Sequence, residues 1–140
     1  MTIAISVIIV NFNGRRHIER CIESVLAQSQ PPLEVIVVDN GSTDGSREAV
    51  AAYGSRVTWI ALPDNRGFAA ANNLGARVAR GGWLALLNND AFAEPEWLTG
   101  LMAAAQTGPE VGMVATQMVF DARPSMINST GICVDRSGVI

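Results

Sequence analysis

Five short runs of nearly unbroken apolar residues, many of them β-branched, constrain this chain most. They are Ile3–Val10, Glu34–Val38, Val57–Leu62, Trp83–Leu87 and Val111–Val119. A strand with one wet face alternates apolar and polar residues, whereas a strand covered on both faces reads as a continuous apolar run. Strands of the second kind belong to parallel sheets, whose neighbours must be joined by crossovers long enough to hold a helix. Helical patterns lie between the runs. Ile18, Cys21, Ile22, Val25 and Leu26 fall on one helical face, with Asn13 or Gly14 as the expected cap and Pro31-Pro32 as the stop. Further helices are predicted over Ser46–Tyr53, Phe68–Arg80 and Glu96–Gln106, the last with Pro95 at its first turn. The order βαβαβαβαβ with right-handed crossovers predicts a doubly wound α/β sheet, mostly parallel, with helices on both faces. Beyond Val119 the pattern weakens. Asp121–Pro124 reads as a turn and the stretch 127–140 as short strands around Gly131 and Gly138. The apolar ending Val139-Ile140 carries no stop signal, so the sequence is expected to be a domain truncated at its C-terminus.

Composition narrows the function. A chain of 140 residues with 49% hydrophobic and 16% charged content suits one domain with a substantial core and no linker. The net charge of −3, without a basic run, argues against nucleic acid as a partner. All ten basic residues counted as Lys or Arg are Arg. A Walker-type phosphate loop needs its lysine, so that class of nucleotide hydrolase is excluded. Cys21 and Cys133 form no CxxC and, with His17 alone, no zinc site; they read as buried or indifferent thiols. The first apolar run lacks a basic flank and a cleavage site, and reads as a strand rather than a signal peptide. No apolar stretch approaches the roughly 20 residues of a membrane span. The sequons at Asn40 and Asn128 carry no weight without a secretory signal.

In open α/β sheets ligands bind beyond the carboxyl ends of the strands, where the strand order reverses. Those ends here read Asn11-Phe12-Asn13-Gly14, Asp39-Asn40-Gly41-Ser42-Thr43-Asp44, Pro63-Asp64-Asn65-Arg66-Gly67 and Asn88-Asn89-Asp90. The opposite edge carries Pro31-Pro32, Gly54-Ser55 and Gly81-Gly82, plain turn formers. The asymmetry favours a site over solvated loops. A dinucleotide fingerprint is absent after the first run, so a nicotinamide oxidoreductase fails. A response-regulator-like module fails too, because Asn11 and Asn13 stand where it needs acids and it needs a lysine. Asp39 nevertheless resembles a ribose-binding acid, and Phe12 can stack on a base; its plainer reading is a core phenylalanine under the first helix. Asn88-Asn89-Asp90 offers amide and carboxylate oxygens suited to Mg²⁺ or Mn²⁺ shared with substrate phosphates, or simply a turn capping the next helix. His17 reads as a surface residue. Met102, Met113, Met118 and Met126 read as core filling. Asp44 reads as a turn or cap residue, and Arg15 and Arg16 as solvated or meeting phosphates.

Four motifs in order resemble the family 2 glycosyltransferases of GT-A fold: Ser6–Gly14, Val37–Gly45, Asn65-Arg66-Gly67-Phe68-Ala69 followed by Asn73 and Gly75, and Leu86–Asp90 with Pro95 and Trp97-Leu98. The last two look most like a rhamnosyltransferase-like branch that builds bacterial surface polysaccharides. The resemblance implies an inverting hexosyltransferase-type enzyme that moves a sugar from a nucleoside-diphosphate sugar to the hydroxyl of a saccharide or lipid-linked saccharide. It implies a donor site of Val10, Asn11, Phe12, Asp39, Asn40, Arg66, Gly67, Asn88 and Asn89, with Asp39 on the base edge and Arg66 by the nucleotide. Asp90 would hold the divalent cation, as the sole carboxylate of a DXD-like triplet whose other two places are amides. Residues 1–90 would form the nucleotide-sugar half and 91–140 the start of an acceptor-side half, with the general base expected beyond residue 140. The fragment alone is then expected to be inactive. Location is expected to be cytoplasmic, or at the inner face of the membrane if the acceptor is lipid-linked. The competing reading is a GT-A-like module that binds nucleotide without catalysing transfer.

Overall fold

The computed structural model describes residues 4–129. Four parallel strands form one sheet: β1 (Ile5–Asn11), β2 (Glu34–Asp39), β3 (Thr58–Ala61) and β4 (Trp83–Asn88), in the spatial order β3-β2-β1-β4. Helices α1 (Ile18–Leu26), α2 (Ser46–Ala51) and α3 (Phe68–Val78) fill the crossovers, and a short 3-10 turn at Gly54–Arg56 precedes β3. Helix α4 (Trp97–Ala105) follows. By chain contacts the molecule divides into two compact units, residues 1–98 and 99–140, and the sheet lies wholly in the first.

The central strands are covered on both faces, as their unbroken apolarity predicts. Every residue of β1 is buried, and β2 is buried from Val35 to Asp39. One face presents Ile8, Val10, Ile36 and Val38, closed by Ala71 of α3 with Leu74, Ile60 and Leu62 alongside. Alternation turns Val7, Ile9, Val35 and Val37 to the other face. A right-handed β1–α1–β2 crossover and a β3–α3–β4 crossover that runs back the other way place α1 and α3 on opposite faces. Ile18, Cys21, Ile22 and Val25 of α1 are accordingly fully buried. Gly75 lets α3 approach the sheet: a Cβ there would lie 2.7 Å from Ile8 Cγ2 and 3.2 Å from Val38 Cγ2.

The edges depart from the sequence-based expectation. On β4, Leu84 is 44% and Leu86 52% exposed, so apolarity there is not matched by cover. The fifth run, Val111–Val119, does not join the sheet. Residues 111–117 form no strand, and only Met118–Phe120 (β5) pairs, antiparallel with Arg123–Ser129 (β6). Its apolar residues follow neither continuous burial nor alternation, and strand preference is settled by available neighbours more than by residue type. Met102 is buried as expected, but Met113, Met118 and Met126 are exposed rather than core-filling. The predicted turn is Asp121-Ala122, tighter than expected because Arg123 and Pro124 already belong to β6. The strands expected around Gly131 and Gly138, and Cys133, lie outside the described residues. Helix α1 takes His17 rather than Asn13 or Gly14 at its N-cap, with the Gly14 carbonyl accepting from the His17 and Ile18 amides. His17 itself is half-buried, its ring 6.3 Å from that of Phe92.

Candidate functional site

Strand order reverses between β1 and β4, the pair in which Val10 stands opposite Asn88. Their carboxyl ends, with the turns after β2 and β3, enclose an open cleft of ≈ 450 Å³. Val10 and Phe12 line it from β1, and Asn88, Asn89 and Asp90 from β4. Asn40, Asn65, Gly67 and Phe68 complete the wall. Phe12 is 46% exposed, which excludes the core reading: the backbone leaves the buried strand at Asn11 and swings the ring outward. Phe68, the first residue of α3, is 53% exposed, so two aromatic rings border the cleft.

The walls are held by side-chain amides. Asn40, almost fully buried, donates from Nδ2 to Asn65 Oδ1 at 2.9 Å and accepts from the Arg66 amide at 2.9 Å. Asn65 Oδ1 accepts from the Gly67 amide as well. Gly67 caps α3 at φ 85° and ψ 161°, a conformation that residues with a Cβ avoid. At the β2 tip, Asp39 is buried and its carboxylate accepts from Asn11 Nδ2 at 2.9 Å, from the Ser42 amide at 3.0 Å and from the Ser42 hydroxyl. Three of its roughly four acceptor positions are thereby filled. Asn11, fully buried, also accepts from Asn89 Nδ2 at 3.0 Å. Asp44 behaves as the cap it was read to be, accepting from the Arg15 amide and from the amide and hydroxyl of Ser46. Desolvation would raise its carboxyl, but those donors outweigh it and hold the group below the ordinary carboxylate range.

Six residues expected at the donor site, Val10, Phe12, Asn40, Gly67, Asn88 and Asn89, therefore share one cleft with Asp90, the expected cation ligand. Asn11 and Asp39 lie behind the wall. Arg66 is turned aside, exposed and paired through Nε with Asp64 Oδ1 at 3.0 Å, an ion pair worth at most about 1 kcal/mol. Asn65 and Phe68 line the cleft although neither was on the expected list. Both belong to the motif that named Arg66 and Gly67, where the charged residue drew the assignment and the amide and ring flanking it hold the position. Arg15, in the turn before α1, is exposed and ion-paired with Glu19 in the first turn of that helix.

Asp90 is the cleft's carboxylate, and it is exposed. Among the described residues no group of three or more His, Cys, Asp or Glu side chains converges as a metal cage. One carboxylate amid amide oxygens does not suit a cation held by protein alone. It does suit Mg²⁺ or Mn²⁺ completed by water and substrate phosphates. Beneath the β4 tip, Cys21 Sγ lies 3.4 Å from the Asn88 carbonyl oxygen. Burial, reinforced by the Asp90 charge, pushes its thiol up to about 12. The segment after Asp90 is fixed to α1: Gln28 donates to the Glu94 carbonyl at 2.7 Å and accepts from the Leu98 amide at 2.9 Å, while Ser24 Oγ accepts from the Ala93 amide.

Comparison with known proteins supplies the context. The family model described as Glycosyl transferase family 2 matches residues 6–130. An uncharacterized glycosyltransferase of Nostoc sp. is 34% identical over 127 residues, covering 89% of this chain and 39% of that protein. The succinoglycan biosynthesis protein ExoO of Rhizobium meliloti is 39% identical over 102 residues, covering 72% of this chain and 29% of its own length. Among solved structures, a mannosyltransferase from Pyrobaculum calidifontis in complex with GDP-Man and Mn²⁺ superposes with a TM-score of 0.76 at 28% identity, over 82% of this chain and 35% of that one. TarS residues 1–349 of S. aureus, in complex with UDP-GlcNAc, gives 0.67 at 26% identity, over 73% and 31%. The chain thus spans between 29% and 39% of the length of these relatives.

Proposed function

The chain belongs to glycosyl transferase family 2, and from that premise we propose that its cleft binds the nucleoside-diphosphate sugar of an inverting glycosyltransferase. The observation that carries the reading is the switch-point cleft itself, where Phe12 and Phe68 offer ring faces and Asp90 an exposed carboxylate. The base lies against Phe12, near the Val10 backbone. Asp39 reaches the base edge through the acceptor position that Asn11 and Ser42 leave open. Arg66 exchanges its exposed partner Asp64 for the nucleotide, which costs little because that pair is solvated. Asn88 and Asn89 face ribose or donor sugar. Asp90 would hold a divalent cation, Mg²⁺ or Mn²⁺, which when bound would supply charge neutralisation to the departing diphosphate.

In the transfer, an acceptor hydroxyl oxygen bonds to the anomeric carbon as the bond from that carbon to the diphosphate oxygen breaks. The hydroxyl proton passes to a carboxylate base. The ligands bound in the neighbouring structures, GDP-Man with Mn²⁺ and UDP-GlcNAc, support a nucleotide-sugar donor here. ExoO's succinoglycan role supports surface polysaccharide synthesis, with a saccharide or lipid-linked saccharide as acceptor. A rhamnosyltransferase-like specificity and peripheral contact of the whole enzyme with the inner membrane face belong to the same proposal. No helix among the described residues is long and apolar enough to cross a membrane. Calorimetric titration of UDP, GDP and dTDP, with and without Mn²⁺, on wild type and Asp90→Ala tests the reading. The expected result is binding of one nucleotide that depends on Mn²⁺ and is lost in the variant. Absence of binding, or binding indifferent to the metal, favours the non-catalytic module.

A further inference from the structure

Behind the cleft wall, buried polar side chains form a chain with a fixed direction. The Asp39 carboxylate only accepts. Asn11 must therefore turn its amide nitrogen toward it, and that nitrogen spends one hydrogen on Asp39 Oδ1 at 2.9 Å and the other on Ser42 Oγ at 3.1 Å. The Asn11 oxygen is then the only group left to meet Asn89, which donates to it from Nδ2 at 3.0 Å. One of the two hydrogens on the Asn89 nitrogen is thus committed to the wall. Among the described residues no donor meets its Oδ1, and Asn89 lines the cleft.

Gly14 closes the seat from outside. A Cβ at that position would lie 2.1 Å from Asn89 Nδ2 and 2.3 Å from Asn11 Oδ1. Asn11 is fully buried and tied at three points, so it cannot yield. Asn89 is the end of a flexible side chain at the cleft rim and can. Nothing larger than glycine at position 14 is compatible with the observed place of the Asn89 amide.

We propose that Asn11 and Gly14 are positioning residues that hold the Asn89 amide at the cleft wall with its oxygen unspent, as an acceptor for a hydroxyl of the sugar nucleotide. Neither touches the ligand; the direction is imposed from Asp39 through Asn11. The inference rests on the donor-binding reading above and adds which residues set the polarity of one wall.

The test is a mutant cycle read by calorimetry on the chain, with UDP-glucose, GDP-mannose and dTDP-glucose as probes in the presence of Mn²⁺. For the probe that binds, Gly14→Ala and Asn89→Ala are each expected to weaken affinity about five- to tenfold, the scale of one hydrogen bond. The double variant is expected to be no weaker than Asn89→Ala alone, because Gly14→Ala reaches the ligand only through that amide. The Gly14→Ala chain should melt below wild type, since the same Cβ also meets the buried Asn11 Oδ1, and the titrations are run well below that transition. Asn11→Leu, which keeps the volume and removes the acceptor that Asn89 donates to, should weaken binding to the same degree; if it does not fold, the Gly14 cycle decides. Additive losses in the double variant, or Gly14→Ala binding as well as wild type, overturn the inference while leaving the donor site standing. Failure of the wild-type chain to bind any probe overturns both.

Discussion

Cys21 shows how one side chain's behaviour follows from where the sheet ends. Its thiol sits under the β4 tip, close to the Asn88 carbonyl and within reach of the Asp90 charge, and is pushed up to about 12 by burial first and that charge second. Only thiolate reacts at a useful rate. Alkylation mapped by mass spectrometry at pH 8 is therefore expected to leave Cys21 unmodified in the folded chain and to label it fully in denaturant. Labelling at equal rates in both states would contradict the described burial. The sequence marked Cys21 as an ordinary buried thiol because it lies on the apolar face of α1. What it could not convey was the neighbour, since Asn88 and Asp90 are far along the chain and only the parallel pairing of β1 and β4 brings them over α1.

At the scale of elements, two contacts decide how the sheet is assembled. Gly75 sets the distance between α3 and the β1–β2 face, and the branched Ile8 and Val38 beneath it have little freedom to move. Gly75→Ala is expected to cost about 1–3 kcal/mol through overpacking, despite alanine's better helix propensity, measured as a lower denaturation midpoint. At the opposite end of the sheet, Glu34 opens β2 and ties it to the entry of β4. Its carboxylate accepts from Ser6 Oγ at 2.7 Å and from the Arg80 amide at 2.7 Å, and pairs with the Arg80 guanidinium at 3.1 Å. Desolvation would raise Glu34, but these donors together hold it below its ordinary 4.5. The unfolded chain then binds more protons than the native one around that pH, so stability rises with pH there. The contribution is complete above 4.5 and is lost as pH falls through the lowered native value. Glu34→Gln should flatten the acid limb of the stability profile as pH falls below 4.5, and an unchanged limb would remove Glu34 as its cause. The central strands were legible from their unbroken apolar runs because two-sided burial leaves that signature. The run at Val111–Val119 carried a similar signature without the fold, because whether an apolar stretch pairs depends on an edge being available to it.

At the scale of the whole molecule, the polar strand tips converge because all strands of the four-stranded sheet are parallel and so end at one edge, which is why a cleft there could be anticipated from run endings alone. The sequence did not reveal which tip residues face out. Asn11 and Asp39 read like Asn88 and Asp90, yet the first pair is folded behind the wall and the second lines the cleft. The segment that follows Asp90 stays in place through Gln28, and Gln28→Ala, which unpairs the Leu98 amide and the Glu94 carbonyl, is expected to cost about 1–3 kcal/mol in chemical denaturation. The account as a whole turns on a cation shared between Asp90 and the donor diphosphate. The most direct measurement is a crystal of the chain grown with Mn²⁺ and the nucleotide that binds, with the metal located by its anomalous signal. The account predicts a single strong peak within coordination distance of the Asp90 carboxylate and the diphosphate oxygens. A nucleotide bound with the metal elsewhere, or with Asp90 turned away from it, would contradict it.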